Sequence, residues 1–422
     1  MNILMMSNTY LPFVGGVERS IEMFTQRLGM AGHRVVIVVP DSPDTLHNEK
    51  DILRMPAIQR FNGSDFSVEV PIPGLLEARL KEFKPDLIHS HHPFLIGDTA
   101  LRIATHFQIP VVFTFHSFYE HYTHYVGGNS ESLKKFIIAL SAGYANLCDQ
   151  VIAPCESVRD IITSRGVHKP ITIVPTGINV AAFKAGNRPR YRTQEQIPDD
   201  GFVIGMVSRI APEKNIIFLA QAVSMYLSRN AHAHFFMVGQ GPSVEDVRSI
   251  FNENGVGARL HVLGTLQGSD LIDVYHAFDI FVYASLSETQ GIVLCEAMAA
   301  GVPVIALDAP GVREVVQDKL TGRLLSEQNI ESLVRALTEF ALLPDSQKAD
   351  YSRRAVTMAE QFTEEITTAK LLTVYQAALN GNYADREIND SSWDEAKRWL
   401  SKEWKVIANI AHATGTAMAM IQ

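Results

Sequence analysis

Cysteine is scarce: only Cys148, Cys155 and Cys295 occur, with no Cys-x-x-Cys pair. An odd, sparse set argues against a disulfide scaffold and fits reduced thiols in a cytoplasmic compartment. No stretch reaches the roughly 18 uninterrupted apolar residues of a membrane span. Met1 to Tyr10 has no basic region and only a short apolar run, so no signal peptide is expected there. Basic charge is also short. Lys and Arg number 37 against 46 Asp and Glu, a formal net charge of -9. That balance argues against a nucleic acid polymer as partner. The loop from Tyr10 to Val17 lacks Gly-x-Gly-x-x-Gly spacing, which argues against a dinucleotide-dependent oxidoreductase.

What remains is ordinary globular composition. The chain has 422 residues, 46% hydrophobic and 20% charged. That length supports two or three domains with large cores. Asn2–Ser7 is a short apolar run. A Gly-containing loop, a helical pattern over Val17–Met30, Gly32 and a second run, Arg34–Pro40, follow it. This is a βαβ unit. Further strands are expected at Asp86–Ser90, Pro110–Phe115, Gln150–Ala153 and Ile171–Val174. Residues 186–200 are polar, with two prolines and no apolar period, and are expected to be a linker. A second alternation then begins. Its strands are expected at Phe202–Ser208, His234–Val238, Arg259–Leu263, Ile280–Tyr283 and Pro303–Leu307, with helices such as Ile216–Leu227 and Leu294–Ala300. Two similar α/β halves with parallel sheets follow, and a cleft between such halves is the default binding site.

Trp393, Trp399 and Trp404 are the only tryptophans. With Leu400, Ile407 and Ala411 they suggest an amphipathic, Trp-rich tail over 385–422. Such a helix covers a core or lies at a membrane surface.

Three segments carry chemistry. In Ser285 to Pro303 a polar loop follows a strand, and Gly291 turns the chain into a helix. The first N–H groups of that helix, around Gly291, Ile292 and Val293, suit phosphate or sugar oxygens. Glu296, one turn on, suits a vicinal diol, and Glu288 in the loop suits sugar hydroxyls. In Gly205 to Asn215, Arg209 and Lys214 follow a buried strand and suit a diphosphate. His116 stands at the end of another strand, within reach of a sugar or acceptor. His89, His91 and His92 invite a zinc reading, but no Cys/His set of matching spacing accompanies them, so no metal is expected.

These segments together resemble the fourth family of retaining glycosyltransferases. Its Glu, seven residues, Glu motif matches Glu288 and Glu296. Its Arg/Lys pair matches Arg209 and Lys214, its Gly-rich loop Gly15 and Gly16, and its strand-end histidine His116. The resemblance runs from about Met1 to Leu379. It implies the GT-B fold: two Rossmann-like parallel-sheet domains facing a central cleft, with a C-terminal helix returning to the N-domain. Its boundaries would be 1–185 for the acceptor domain, 186–200 for the linker, 201–360 for the nucleotide-sugar domain and 361–380 for the helix.

The resemblance also implies roles. Glu288, His116, Arg209 and Lys214 would be catalytic. Gly16, Arg209, Lys214, Leu263, Gly264, Glu288, Gly291, Ile292, Val293 and Glu296 would bind the donor, with Gly16 approaching its phosphates and Leu263–Gly264 the base. Gly15, His116, Tyr119, Tyr122 and His124 would bind the acceptor. A nucleotide-sugar, UDP-linked by preference, is the expected donor, with no cofactor or metal. The stretch His116 to Tyr125, with the preceding His-His-Pro-Phe-Leu-Ile-Gly, resembles bacterial diacylglycerol glucosyltransferases. That implies a hexose moved to a membrane lipid at the inner face of the membrane. The alternatives are a soluble or polyprenyl-linked sugar acceptor, or a nucleotide-sugar epimerase. Lys134-Lys135-Phe-Ile-Ile-Ala-Leu is a candidate membrane contact. Residues 1–180, however, hold 15 Lys and Arg against 17 Asp and Glu, so charge alone would not drive it.

Overall fold

The computed structural model describes residues 1–13, 15–41, 49–58, 68–69, 76–121 and 131–381. The chain forms two compact units, Met1–Gly177 with Glu364 onward, and Ile178–Thr363.

The first unit runs β1 (Asn2–Met6), α1 (Gly16–Met30), β2 (Arg34–Pro40), β3 (Ile52–Met55), β4 (Ala57–Ile58), β5 (Val68–Glu69), α2 (Glu77–Phe83), β6 (Leu87–Ser90), α3 (Ile96–Phe107), β7 (Val111–Thr114), α4 (Glu131–Leu147), β8 (Gln150–Ala153), α5 (Glu156–Ser164) and β9 (Ile171–Ile173). Seven strands pair in the order β3-β2-β1-β6-β7-β8-β9, all parallel. β4 and β5 form a small antiparallel pair of their own. The apolar runs have a direct cause. Successive side chains leave a strand on opposite faces, and here both faces are covered. Ile3 and Met5 of β1 enter one apolar cluster, while Leu4 and Met6 enter another.

The second unit runs α6 (Val180–Phe183), α7 (Arg188–Gln194), β10 (Phe202–Val207), α8 (Ile216–Arg229), β11 (Ala233–Val238), α9 (Val244–Glu253), β12 (Leu260–Gly264), α10 (Gly268–Ala277), β13 (Ile280–Tyr283), α11 (Ile292–Ala299), β14 (Val304–Leu307), β15 (Gly322–Leu325), α12 (Ile330–Ala341) and α13 (Asp345–Ala359). Its six parallel strands lie in the order β12-β11-β10-β13-β14-β15. The same alternation holds, with Val203 and Val207 on one face and Ile204 and Met206 on the other.

The last helix among the described residues, α14 (Glu364–Leu379), belongs to the first unit. Leu371, Val374, Tyr375 and Ala378 recur at helical spacing and are all buried in the apolar cluster where α14 meets α1, β6 and β7. Arg27 of α1 ties its start by ion pairs to Glu364, at 2.8 Å, and to Glu365.

Residues 186–200 are not a bare linker, because they hold α7. The helix is fixed by charge rather than by an apolar stripe. Arg188 and Arg192, one turn apart, both reach the Asp279 carboxylate at 2.5 Å, and its Oδ2 also accepts the Val203 N–H at 2.7 Å. Tyr191 supplies the buried apolar anchor. Among the described residues no helix is long and apolar enough to cross a membrane. The 385–422 tail lies outside the described residues.

Candidate active-site elements

In open parallel sheets ligands gather beyond the carboxyl ends of the strands, where the strand order reverses. In the second unit that point lies between β10 and β13. Beyond β10 the chain continues through Ser208 and Arg209 into a single tight turn, Pro212–Lys214. The Ser208 N–H donates to Val238 O at 3.1 Å and the Ile210 N–H to Gln240 O at 2.9 Å. Two glycines allow this approach. A Cβ on Gly239 would strike the Ser208 carbonyl oxygen, and one on Gly241 that of Ile210. The loop carrying Arg209 is therefore seated by backbone. Arg209 itself is partly exposed at the strand end.

The loop beyond β13 meets this first loop. Lys214 Nζ lies 2.5 Å from Glu288 Oε1, and the Tyr283 hydroxyl donates to the same oxygen at 2.7 Å. Asn215 Nδ2 donates to Ala284 O at 3.2 Å, and Ser287 Oγ to Glu213 O at 3.3 Å. Burial pushes the Glu288 carboxyl up. The Lys214 ammonium and the hydrogen bonds from Lys214 and Tyr283 pull it further down, so it stays below its ordinary value and ionised. Burial and the neighbouring carboxylate drive the Tyr283 phenol the other way, upward. Tyr283 was not among the expected site residues.

α11 begins directly after this loop. Gly291 caps it with φ 66°, a left-handed conformation that glycine adopts without strain. The first N–H groups, at Ile292 and Val293, stand where an intrahelical acceptor is lacking. Glu296 is buried one turn on, and its Oε2 accepts the Tyr275 hydroxyl at 2.8 Å. Gly264, at the end of β12, has φ 69°, and its carbonyl accepts the Gly239 N–H at 2.7 Å. Leu263 packs, partly buried, on the core beside it.

Gly311 also escaped the sequence analysis, although Pro310-Gly311 marks a turn. Its φ is 75°, and a Cβ there would lie 2.6 Å from Gln290 N and 2.7 Å from Thr289 C. A Gly311→Ala protein should therefore shift the Glu288 loop. Strain of about 1–3 kcal/mol is expected, together with a loss of up to ~100-fold in kcat/KM. Turnover measured beside thermal stability checks this; wild-type turnover would contradict it.

In the first unit the order reverses between β1 and β6. Gly15 caps α1, and Gly16 is its exposed first residue. Glu18 is buried and reaches back to the Gly15 N–H and to Thr9, the carboxylate half of a capping box, at a Gly-x-x-Glu spacing that stood in the sequence. A Cβ on Gly15 would lie 2.6 Å from the Glu18 carboxylate. Beyond β6 and β7 sit the histidines. His89 is locked between Tyr375 OH at 2.8 Å and Thr114 Oγ1 at 2.7 Å. His91 Nδ1 lies 2.9 Å from His116 Nε2. His92 Nδ1 accepts the Asn8 N–H at 3.2 Å and faces Ser7 Oγ at 3.2 Å. Burial pushes His89 down to about 3 and His92 to about 4, and drives His91 and His116 well below the ordinary value. All four rings are neutral near pH 7. Among the described residues no three His, Cys, Asp or Glu side chains form a metal-binding group. Tyr119 stands edge-on to Phe94 and Phe115 in an aromatic cluster beside His92. Tyr122 and His124 lie outside the described residues.

Both units resemble known proteins. Residues 14–182 match the family described as Glycosyltransferase Family 4, and residues 187–357 that described as Glycosyl transferases group 1. An alpha-monoglucosyldiacylglycerol synthase of Streptococcus pneumoniae is 31% identical over 77% of this chain and 75% of its own. A protein of the same name from Acholeplasma laidlawii is 26% identical over 90% of this chain and 98% of its own. Among solved structures, HepE of Anabaena, crystallised with UDP and glucose, superposes with a TM-score of 0.72. It is 18% identical and covers 89% of this chain and 99% of its own.

Proposed function

The chain belongs to the family-4 glycosyltransferases and has the GT-B fold, and from that premise we propose that it is a retaining enzyme moving glucose from UDP-glucose to diacylglycerol. The observation that carries the reading is the cluster at the β10/β13 reversal. An ionised Glu288, a cation on it, an N-terminal helix turn and a second buried carboxylate, Glu296, stand on consecutive elements. Glu296 takes the ribose diol with the oxygen not held by Tyr275. The N–H groups at Ile292 and Val293 take phosphate oxygens. Arg209 and Lys214 meet the negative charge that grows on the leaving diphosphate, the kind of fixed charge that contributes most to catalysis. Glu288 orients the sugar hydroxyls, and its bond to Lys214 keeps that cation aimed before the donor arrives. Leu263 and Gly264 border the base.

The names of the two curated relatives support the lipid acceptor, and the UDP and glucose bound to HepE support the donor. The first unit supplies the acceptor side through Gly15, His116 and Tyr119. α4 offers a surface contact. Glu131 opens it, Lys134, paired to Glu131 at 3.0 Å, and Lys135 follow, and Phe136, Ile137 and Ile138 are only partly buried. The enzyme then works at the inner face of the membrane, without a metal.

The test is a product assay. Purified protein is incubated with UDP- and GDP-sugars, with and without diacylglycerol micelles, and the products are identified by mass spectrometry and anomeric NMR. An α-linked glucolipid formed only with UDP-glucose and diacylglycerol is the expected result. Transfer to a soluble sugar in its place would overturn the lipid acceptor. Donor conversion without any acceptor would overturn transfer itself.

A further inference from the structure

His91 and His116 follow adjacent strands, β6 and β7, and their rings approach at 2.9 Å between Nδ1 and Nε2. One nitrogen must donate and the other accept. Two arrangements are available to a neutral pair. In one, His91 carries its proton on Nδ1 and donates to His116 Nε2. In the other, His116 donates from Nε2, and the proton of His91 moves to its own Nε2. That atom is buried, and no hydrogen-bond partner for it exists among the described residues. A buried N–H without an acceptor is the rarer and costlier defect, compared with an unmet lone pair. The first arrangement is therefore favoured. The His91 ring has little room to turn and change this. Its centroid is 4.1 Å from that of His89, which is pinned by Thr114 and Tyr375. Its backbone N–H is tied to Met6 O at 2.9 Å.

We propose that His91 is a positioning residue that donates from Nδ1 to His116 Nε2 and so holds His116 as its Nδ1–H tautomer. His116 then meets a substrate only as a donor, through Nδ1. Its Nε2 is occupied and cannot serve as a general base. The low proton affinity of both buried rings is consistent with this, because neither takes a second proton near pH 7. The consequence for transfer rests on the reading of His116 as a group that faces the acceptor; the tautomer does not.

The test uses the full chain labelled with ¹⁵N-histidine, read by two-bond proton–nitrogen correlation at pH 8, with His116 assigned from its loss in His116→Gln. Wild type should show His116 protonated at Nδ1. His91→Ala should move it toward the Nε2–H form and lower kcat/KM for diacylglycerol about tenfold. In His91→Asn the side-chain amide occupies the place of Nδ1–H. It should restore the wild-type tautomer and most of the turnover. Circular dichroism melts of both variants report folding independently. An Nε2–H signal for His116 in wild type, or an unchanged tautomer in a folded His91→Ala protein, overturns the proposal. A switched tautomer with unchanged transfer supports the pair and overturns the acceptor reading of His116.

Discussion

A Lys214→Met protein is expected to lose both its turnover and a large part of the stability of its second unit. Lys214 and Glu288 are mostly buried, with side-chain exposures of 19% and 12%, and they touch at 2.5 Å. Removing one member of such a pair leaves an uncompensated charge, at a cost of about 3–5 kcal/mol. Tyr283 still holds the carboxylate. The double variant Lys214→Met, Glu288→Gln removes both charges. It should regain most of the lost stability, since two neutral groups in the same space carry no unpaired charge. Activity should behave differently. The single and the double variants all lack a charge placed where the transition state needs it, and all should fall by about 10²–10³ in kcat. Denaturant unfolding and product turnover, measured on wild type, Lys214→Met, Glu288→Gln and the double variant, separate the two effects. Recovery of turnover in the double variant would show that the pair only supports the fold.

Lowering the pH from 8 to 5 should weaken the first unit by several kcal/mol. The buried histidines set the sign. His89 and His91 stay neutral in the fold, because burial depresses their proton affinity, but they titrate near 6.5 once unfolded. The stability they contribute is complete above that value. As the pH falls below it, the unfolded chain binds protons that the folded chain refuses, and stability is lost down to the folded value, about 3 for His89. At pH 5 each fully suppressed histidine accounts for about 2 kcal/mol. His89→Gln keeps amide groups for Thr114 and Tyr375 and removes one of these titrations. Its loss between pH 8 and 5 should be smaller than that of wild type by about that amount. Glu288, held below its ordinary value, weakens the fold only in more acid solution. Glu18, pushed up by burial, acts in the opposite direction but is common to both proteins and cancels. Equal pH slopes for the two proteins in urea unfolding would sink this account.

The parallel sheets were legible because both faces of their strands are buried. Central strands are then continuous apolar runs, and the expected bounds of Arg34–Pro40, Gln150–Ala153 and Ile280–Tyr283 are those observed. β3 and β15 were missed. Both are four-residue edge strands with an arginine inside, Arg54 and Arg323, so no apolar run announces them. α7 was missed because its hold is Arg188 and Arg192 on Asp279, a residue far along the chain. In the candidate site, the spacing of Glu288 and Glu296 about Gly291 singled those two residues out, and Arg209 and Lys214 stood out by their place after a buried strand. Tyr283 could not, since a tyrosine ending a buried strand looks like core until its hydroxyl is seen on Glu288. The His91–His116 contact was equally hidden. It depends on the pairing of β6 with β7, and residue spacing carries no register.

The position of α14 sets the order in which the protein can be made. A ribosome delivers β1 to β9 first, yet the face of that sheet closed by Leu371, Val374, Tyr375 and Ala378 must wait for α14. Throughout synthesis of the second unit the nascent first unit carries an open apolar surface, and His89 has no Tyr375 to meet. The second unit is continuous in the chain and has no such debt. It can complete its core while its predecessor is still unfinished, so the half that emerges later is the half able to close first.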